Sequence, residues 1–234
     1  MSDDILQQQI EYYRARASEY DEWFYRLGRY DHGEALNQKW FDEVKTVSNA
    51  LRSLGKFDRV LELAAGTGNW TGQLAEMANH VTAIDASEEM LEINYSKSKT
   101  AHLHYQQADL FEWEPTEQYD LVFFGFWLSH VPPNEVADFL SKVYRATKPG
   151  GHVFLVDSLP DQTSTAADQS VSTNEKAHQK RKLNDGREFQ IIKVYYQPET
   201  LLPLLTNAGF QAEAYTSGQY FVYAHGRSSL YAIS

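Results

Sequence analysis

The chain has no cysteine in its 234 residues. Disulfides, thiolate metal sites and cysteine nucleophiles are therefore excluded. No apolar run approaches the roughly eighteen residues that a membrane-crossing helix needs. Positive charge is in short supply: 21 Lys and Arg stand against 32 Asp and Glu, a formal charge of −11. Tight nucleic-acid binding depends on neutralising phosphates, so this balance counts against it. The start, Met1-Ser2-Asp3-Asp4, is acidic and lacks the apolar region of a secretion signal. The sequence thus reads as a cytoplasmic protein without a nucleic-acid or membrane partner. It leaves the oligomeric state open. No paired His/Asp pattern with ligand spacing is visible, so no metal is expected.

Aromatic residues, by contrast, are plentiful at 14%, with 15 Tyr and 5 Trp. Many fall outside the strand-like segments. Most read as ordinary core or surface residues, and some as the walls of a pocket for an apolar or aromatic ligand. One basic cluster, Lys176 to Lys182 with His178 inside it, is followed by Asp185 and Glu188. It reads first as a solvated helix face, with a recognition role as the second reading.

Helical periodicity marks residues 3 to about 28, where Tyr13, Ala17, Tyr20 and Phe24 form one stripe with Tyr12, Glu19 and Trp23 beside it. A second helix is predicted from about Gly33 to Leu54, carried by Leu36, Trp40, Val44, Val47 and Leu51, with Gly55 as its stop. Strands then alternate with helices. Strands are expected at Arg59–Leu63, His80–Ile84, Leu103–Gln107, Asp120–Phe124 and His152–Val156. Helices are expected from about Asn69, at Glu88–Tyr95 capped by Ser87, and from Pro132 to Ala146. This alternation predicts a Rossmann-like α/β fold: a mostly parallel seven-stranded sheet with helices on both faces. Residues 158–186 show no strand signal, and Gln190–Tyr196 is an extra strand candidate. After a helix at Pro198–Ala208, Phe210–Thr216 and Gln219–Ala224 form an antiparallel pair that completes the sheet. The chain reads as one domain. Residues 1–54 form a helical cap, 55–157 a cofactor-binding core, 158–190 a lid or acceptor-recognition insert, and 191–234 the C-terminal completion.

The chemistry concentrates in Val60-Leu61-Glu62-Leu63-Ala64-Ala65-Gly66-Thr67-Gly68-Asn69-Trp70-Thr71. An apolar strand ends in an acid and a small, glycine-containing turn, and a helix follows. The next apolar strand, Val81-Thr82-Ala83-Ile84, ends in Asp85, the position of a ribose-binding acid in nucleotide-binding α/β folds. A pyrophosphate-binding loop needs a third glycine where this chain has Thr71, and Glu62 inside the strand end does not favour a pyrophosphate either.

Over residues 58–157 the sequence resembles the class I S-adenosylmethionine (SAM)-dependent methyltransferases of bacterial small-molecule type. Glu62 to Gly68 matches their first motif, with Ala64 at the place of a common glycine; alanine is also small. Asp85 matches the ribose acid, and Ala108-Asp109-Leu110 the motif whose aspartate accepts from the adenine amino group. Tyr119-Asp120-Leu121-Val122-Phe123-Phe124 matches the fourth strand, and Lys148-Pro149-Gly150-Gly151 the turn before the fifth. The resemblance implies SAM as cofactor and S-adenosylhomocysteine (SAH) as product. It places Glu62, Ala64, Gly66, Gly68, Asp85, Ala86, Met90, Asp109, Leu110, Phe124 and Gly125 around the cofactor. Met90 has ordinary helix packing as its other reading. The aromatic N-terminal helix is similar to one that closes over the cofactor in such enzymes, which implies contacts from Tyr13 and Tyr20. The alternative is packing of the stripe on the sheet. Arg16 reads as a surface charge, with a carboxylate partner as the alternative.

Acceptors in open α/β sheets lie beyond the carboxyl ends of the strands. Gly125-Phe126-Trp127-Leu128-Ser129-His130 follows the fourth strand and so faces the methyl group. His130 is a candidate general base because an unperturbed imidazole titrates near neutrality; its other reading is a hydrogen-bonding or substrate-orienting group. Trp127 is a candidate to stack on the acceptor or to cover the cofactor. Asp157 is a second acceptor-side candidate or a loop cap. Arg187, in the turn Asn184-Asp185-Gly186-Arg187, reads as a surface residue or as an inward partner for an anionic substrate. The resulting expectation is methyl transfer to oxygen or nitrogen of a small metabolite, aromatic acceptors included. Carbon methylation of quinone-biosynthesis type, a non-catalytic cofactor-binding or interaction module, and a protein or nucleic-acid methyltransferase are the alternatives.

Overall fold

The structure is a computed structural model that describes residues 2–171 and 177–230, with side chains from residue 5 onward. Its helices are α1 (Ser2–Arg16), α2 (Tyr20–Phe24), α3 (Glu34–Ser53), α4 (Thr71–Met77), α5 (Glu88–Lys97), α6 (Val136–Ala146) and α7 (Pro198–Asn207). Its strands are β1 (Phe57–Leu63), β2 (Ala78–Asp85), β3 (Leu103–Gln107), β4 (Tyr119–Gly125), β5 (Thr147–Ser158), β6 (His178–Lys182), β7 (Glu188–Ile192), β8 (Phe210–Thr216) and β9 (Phe221–Ser228).

Seven strands form one sheet in the order β3-β2-β1-β4-β5-β9-β8. Strands β1 to β5 pair in parallel, while β9 runs antiparallel between β5 and β8. The expected Rossmann-like sheet with its antiparallel C-terminal pair is therefore present. Successive residues feed opposite layers, as a pleated strand requires. Val60, Leu121, Phe123, Phe154 and Val156 pack towards α3 and α4. Leu61, Leu63, Val122, Phe124, Val153 and Leu155 pack towards α6 and α7. Both faces are thus buried, which is why these strands read as continuous apolar runs. The motif Lys148-Pro149-Gly150-Gly151 lies inside β5. Pairing jumps from Tyr119↔Thr147 to Leu121↔His152, so these four residues bulge past Asp120.

Three departures from expectation shape the site. First, the N-terminal helix is not continuous: α1 gives way at Ala17–Glu19 to a 3-10 turn before α2. The break lets one stripe turn a corner over the sheet edge. Second, the basic segment from His178 to Lys182 is strand β6, paired with β7 in a separate hairpin, while Lys176 lies outside the described residues. Neither a solvated helix nor a strandless insert is correct there. Lys180 and Lys182 alternate outward, and Lys180 pairs with Glu188. Arg181 and its cross-strand partner Phe189 point the other way, towards α1, where Phe189 packs on Tyr12 at 5.7 Å between ring centroids. With no apolar residue in His178–Lys182, the pattern carries no strand signal. Third, the helix expected from Pro132 begins at Val136.

Topology places a crevice between β1 and β4, where the strand order reverses. The backbone is held in the left-handed region on both sides of it. Ala64 follows β1 with φ 52° and Phe126 follows β4 with φ 57°. Such conformations disfavour residues with a side chain and cluster where a site over-determines them. Small size alone is thus not what Ala64 needs; it occupies a conformation that glycine would adopt without strain. Among the described residues no helix is long and apolar enough to cross a membrane.

Candidate active site

A cavity opens at this switch point. Its floor is the β1 turn, with Ala64 and Gly66. One wall is the end of β2 and the start of α5: Asp85, Ala86, Ser87 and Met90. Another is the segment after β3, Asp109 to Phe111, and a third is Phe126, Trp127 and His130. The roof is α1 and α2, through Gln9, Ile10, Tyr13 and Tyr20.

Asp85 holds two loops together before any ligand arrives. One oxygen accepts from the Gly66 N–H at 2.8 Å and the other from the Ser87 N–H at 2.9 Å. Burial raises its pKa, and those N–H groups oppose the rise. Asp109 accepts from the Phe111 N–H at 2.9 Å, which fixes the turn after β3. The Ser87 hydroxyl caps α5 by accepting from Met90 N at 3.2 Å, as the sequence predicts. Met90 is buried, so its side chain serves packing as well as the cavity wall.

Four expected cofactor residues do not line the cavity. Glu62 is buried beneath it and accepts from Thr71 Oγ1 at 2.6 Å. Thr71 in turn accepts from Asn94 Nδ2 at 2.8 Å, and Asn94 Oδ1 accepts from the Tyr105 hydroxyl at 3.1 Å. Burial lifts the Glu62 carboxyl to about 8, with the Thr71 hydrogen bond opposing and Asp85 reinforcing. Gly68, at φ 86°, faces the same network; a Cβ there would sit 2.4 Å from Asn94 Oδ1. Phe124 is fully buried against Phe139, ring centroids 5.3 Å apart. Gly125 makes room for Trp70, 3.2 Å from where its Cβ would be. These four support the loop from below.

His130 lies in a 3-10 turn after β4 and is buried. Its Nδ1 is 2.6 Å from the Ile192 carbonyl, which can only accept, so Nδ1 carries the proton. Nε2 is then the acceptor for the Tyr13 hydroxyl at 2.7 Å. Burial pushes the imidazole pKa well below its ordinary value, and Lys193, Arg181 and Arg16 push it in the same direction. Both ring nitrogens are engaged by hydrogen bonds, an arrangement that fits the orienting reading of this histidine. Gln9 locks the arrangement, donating to the His130 carbonyl and accepting from Ile192 N, both at 3.0 Å.

A second chamber adjoins the first and shares Tyr13, Tyr20, Phe126 and His130 with it. Arg16, Tyr30, Arg181 and Lys193 also line it. Arg16 is only 9% exposed, so the surface reading fails. Asp157 lines neither chamber. It accepts from Ser129 N at 2.9 Å and pairs with Lys193 at 3.2 Å. Arg187 is exposed and tied to Asp185 at 2.7 Å, so it is not the inward arginine. Trp127 stays in the cofactor cavity, tilted on Phe111 at 5.5 Å, and its buried Nε1 lacks a hydrogen-bond partner among the described residues. Sequence reasoning missed Gln9, Phe126, Tyr30, Arg181 and Lys193. The run Lys180-Arg181-Lys182 carries no alternation that would have singled out Arg181. Among the described residues no group of His, Asp and Glu is placed to hold a metal.

The cavity suits a nucleoside that bears a cation. Asp85 and Asp109 offer acceptors at one end, apolar Ala86, Met90 and Leu110 flank them, and aromatic Tyr13, Tyr20, Phe126 and Trp127 surround the other. Comparison with known proteins agrees. A family model described as a methyltransferase domain matches residues 60–151. The solved DhpI–SAH complex superposes with TM-score 0.77 at 34% identity, covering 96% of this chain and 97% of that one. The DhpI–SAM–HEP complex matches at the same TM-score and 35% identity, covering 95% and 97%. The demethylmenaquinone methyltransferase of Listeria welshimeri is 33% identical over 130 residues, 53% of this chain and 52% of the relative. The chain thus spans about half the length of the curated relatives it matches. The chain belongs to the class I SAM-dependent methyltransferases, and SAM is its cofactor.

Proposed function

We propose that this enzyme methylates an oxygen or nitrogen atom of a small molecule bound in the second chamber. The observation that carries the reading is the shared wall: Tyr13, Tyr20, Phe126 and His130 border both the cofactor cavity and a chamber closed by α1, α2 and the β6–β7 hairpin. When bound, SAM supplies an activated methyl group on a sulfonium and leaves as SAH. Asp85 and Asp109 would hold its nucleoside end, Ala86, Met90 and Leu110 its ring. The aromatic group around Tyr20 and Phe126 excludes water and favours a nearby cation. The rest is positioning of the nucleophile.

His130 orients Tyr13 in this reading and does not abstract a proton. Taking a proton would create an imidazolium beside Lys193, Arg181 and Arg16, which its depressed pKa already opposes. The acceptor therefore arrives with a free lone pair, as an ionised oxygen or a neutral amine. Carbon methylation, suggested by the demethylmenaquinone methyltransferase relatives, needs a competent base at a carbon acid, and among the described residues no unengaged one lines the shared wall. In this reading residues from 1–54 and from the 158–190 insert build the acceptor chamber on the core, supported by the lining of the second chamber. Turnover of methyl-labelled SAM against a metabolite panel, with NMR of the product, tests this. A new methyl–oxygen or methyl–nitrogen bond is expected. A methyl–carbon product would overturn the assignment.

A further inference from the structure

We infer that the acceptor carries an oxyanion, and that Arg16 and Arg181 hold it in the second chamber. This rests on the small-acceptor reading above and names the chemistry of that acceptor.

The chamber lining contains three cations, Arg16, Arg181 and Lys193, and no carboxylate. Lys193 is already neutralised, at 3.2 Å from Asp157 and 2.7 Å from the Ser129 hydroxyl. The two arginines are not. Arg16 donates once, to the Tyr30 hydroxyl at 3.2 Å. The Arg181 side chain has no hydrogen bond or ion pair among the described residues. Arg16 is buried and Arg181 half-buried; a buried cation without a counter-charge is costly, and an anion in the chamber would relieve that cost.

The surroundings of Arg16 show how it is kept ready. Its guanidinium carbon lies over the rings of Tyr20 at 5.0 Å, Tyr12 at 5.6 Å and Tyr30 at 5.8 Å. Ring faces attract the cation without using its N–H donors. Four of the five guanidinium donors therefore stay available in a fork that matches carboxylate, phosphate, phosphonate or sulfonate geometry. Arg181 reaches the chamber from the opposite wall, because its strand phase turns it inward while Lys180 and Lys182 face solvent. Recognition thus comes from two elements, α1 and β6, that meet only when the hairpin packs on the N-terminal helix. The methyl-accepting atom belongs to the same molecule and lies towards the shared wall of Tyr13 and His130.

The test titrates the SAH-saturated protein with inorganic phosphate and with acetate, at constant ionic strength, using acetamide as the neutral control. Binding is read by calorimetry and by thermal shift. Saturable binding of at least one anion is expected, with none of acetamide. Arg16→Met and Arg181→Met should each weaken it tenfold or more, while Lys182→Met, on the outer face of the same strand, leaves it unchanged. Arg16→Lys should fall between wild type and Arg16→Met. SAH affinity, measured in the same samples, reports whether each variant is folded. If Arg16→Met loses SAH binding, the Arg181→Met result decides. Normal SAH binding without saturable anion binding would overturn the oxyanion inference alone, as would anion binding that Arg181→Met leaves unchanged. Failure of the wild-type protein to bind SAH would remove the methyltransferase reading and the inference with it.

Discussion

The Tyr13 hydroxyl stands 2.7 Å from Nε2 of His130, and the opposite ring nitrogen is fixed on the Ile192 carbonyl at 2.6 Å. Both imidazole nitrogens are therefore engaged within the protein. The residue that looks from the sequence like the proton acceptor is the middle of a chain running from β7 to α1. In the function proposed above, it aims a tyrosine at the wall between cofactor and acceptor.

A positioning pair behaves differently from a base. Tyr13→Phe and His130→Ala should each lower kcat/KM about tenfold, and the double variant should be little worse than either, because partners in one network are coupled rather than additive. Loss of a true general base costs about 10²–10⁴-fold and removes a pH limb. Steady-state kinetics between pH 6 and 8 check this. A limb near pH 6.5 that disappears only in His130→Ala would refute the positioning role.

Asp85 connects the first and second motif loops through Gly66 and Ser87, so it both organises the cavity and lines it. Asp85→Ala should weaken SAH binding by about 1–3 kcal/mol, the usual cost of unpaired buried polar groups. Calorimetry on protein with wild-type circular dichroism measures it. Unchanged affinity would remove Asp85 from cofactor binding.

The core was legible because burial on both faces leaves long apolar strands punctuated by acids and small turns, as in Val60–Gly68 and Val81–Asp85. The hairpin was not, because β6 contains no apolar residue and its inward face is made by Gln179 and Arg181. Arg16 was misread for a related reason. Tyr12 and Tyr20, four residues to either side, cover it at helical spacing, but Tyr30, brought in as the chain folds back after α2, completes the enclosure. Arg187, in the hairpin turn, pairs locally as its surface reading has it, whereas Arg181, inside the strand, is directed inward by the register. The fate of Ala64 depends on φ, which residue size does not reveal.

Glu62 offers a pH test. Its folded pKa of about 8 lies above the ordinary carboxyl value, so the folded state keeps a proton that the unfolded state has lost. Stability is therefore greatest at low pH from this group, and falls as pH rises from about 4.5 to 8, by at most about 1.4 kcal/mol per pH unit. His130 acts in the other direction below pH 6.5, since its folded form resists a proton that the unfolded chain binds. Comparing Glu62→Gln with wild type isolates the carboxyl. Urea unfolding from pH 5 to 8 should show the variant gaining on wild type as pH rises. A constant difference across that range would mean Glu62 is ionised throughout.

The roof helix ought to depend on what lies beneath it. Gln9 joins α1 to His130 and Ile192. Asp21 of α2 accepts from Thr67 in the glycine-containing loop and pairs with Lys97 of α5. Glu19 and Glu22 accept from Asn184 in the β6–β7 turn. These are polar links around a cavity, whereas the buried cluster beneath α1 is small: Tyr12, Leu183 and Ile191. Segments with few buried apolar contacts open at low free energy, and a ligand that binds only the closed form raises that energy. Hydrogen exchange of residues 8–25 should slow at least tenfold with saturating SAH, while exchange in β1 and β4 changes little. Gln9→Ala should speed exchange in the ligand-free protein and weaken SAH binding, because closure then has one anchor fewer to β7. Equal protection of residues 8–25 with and without SAH would make α1 a permanent wall, and acceptor entry would then have to pass the β6–β7 hairpin.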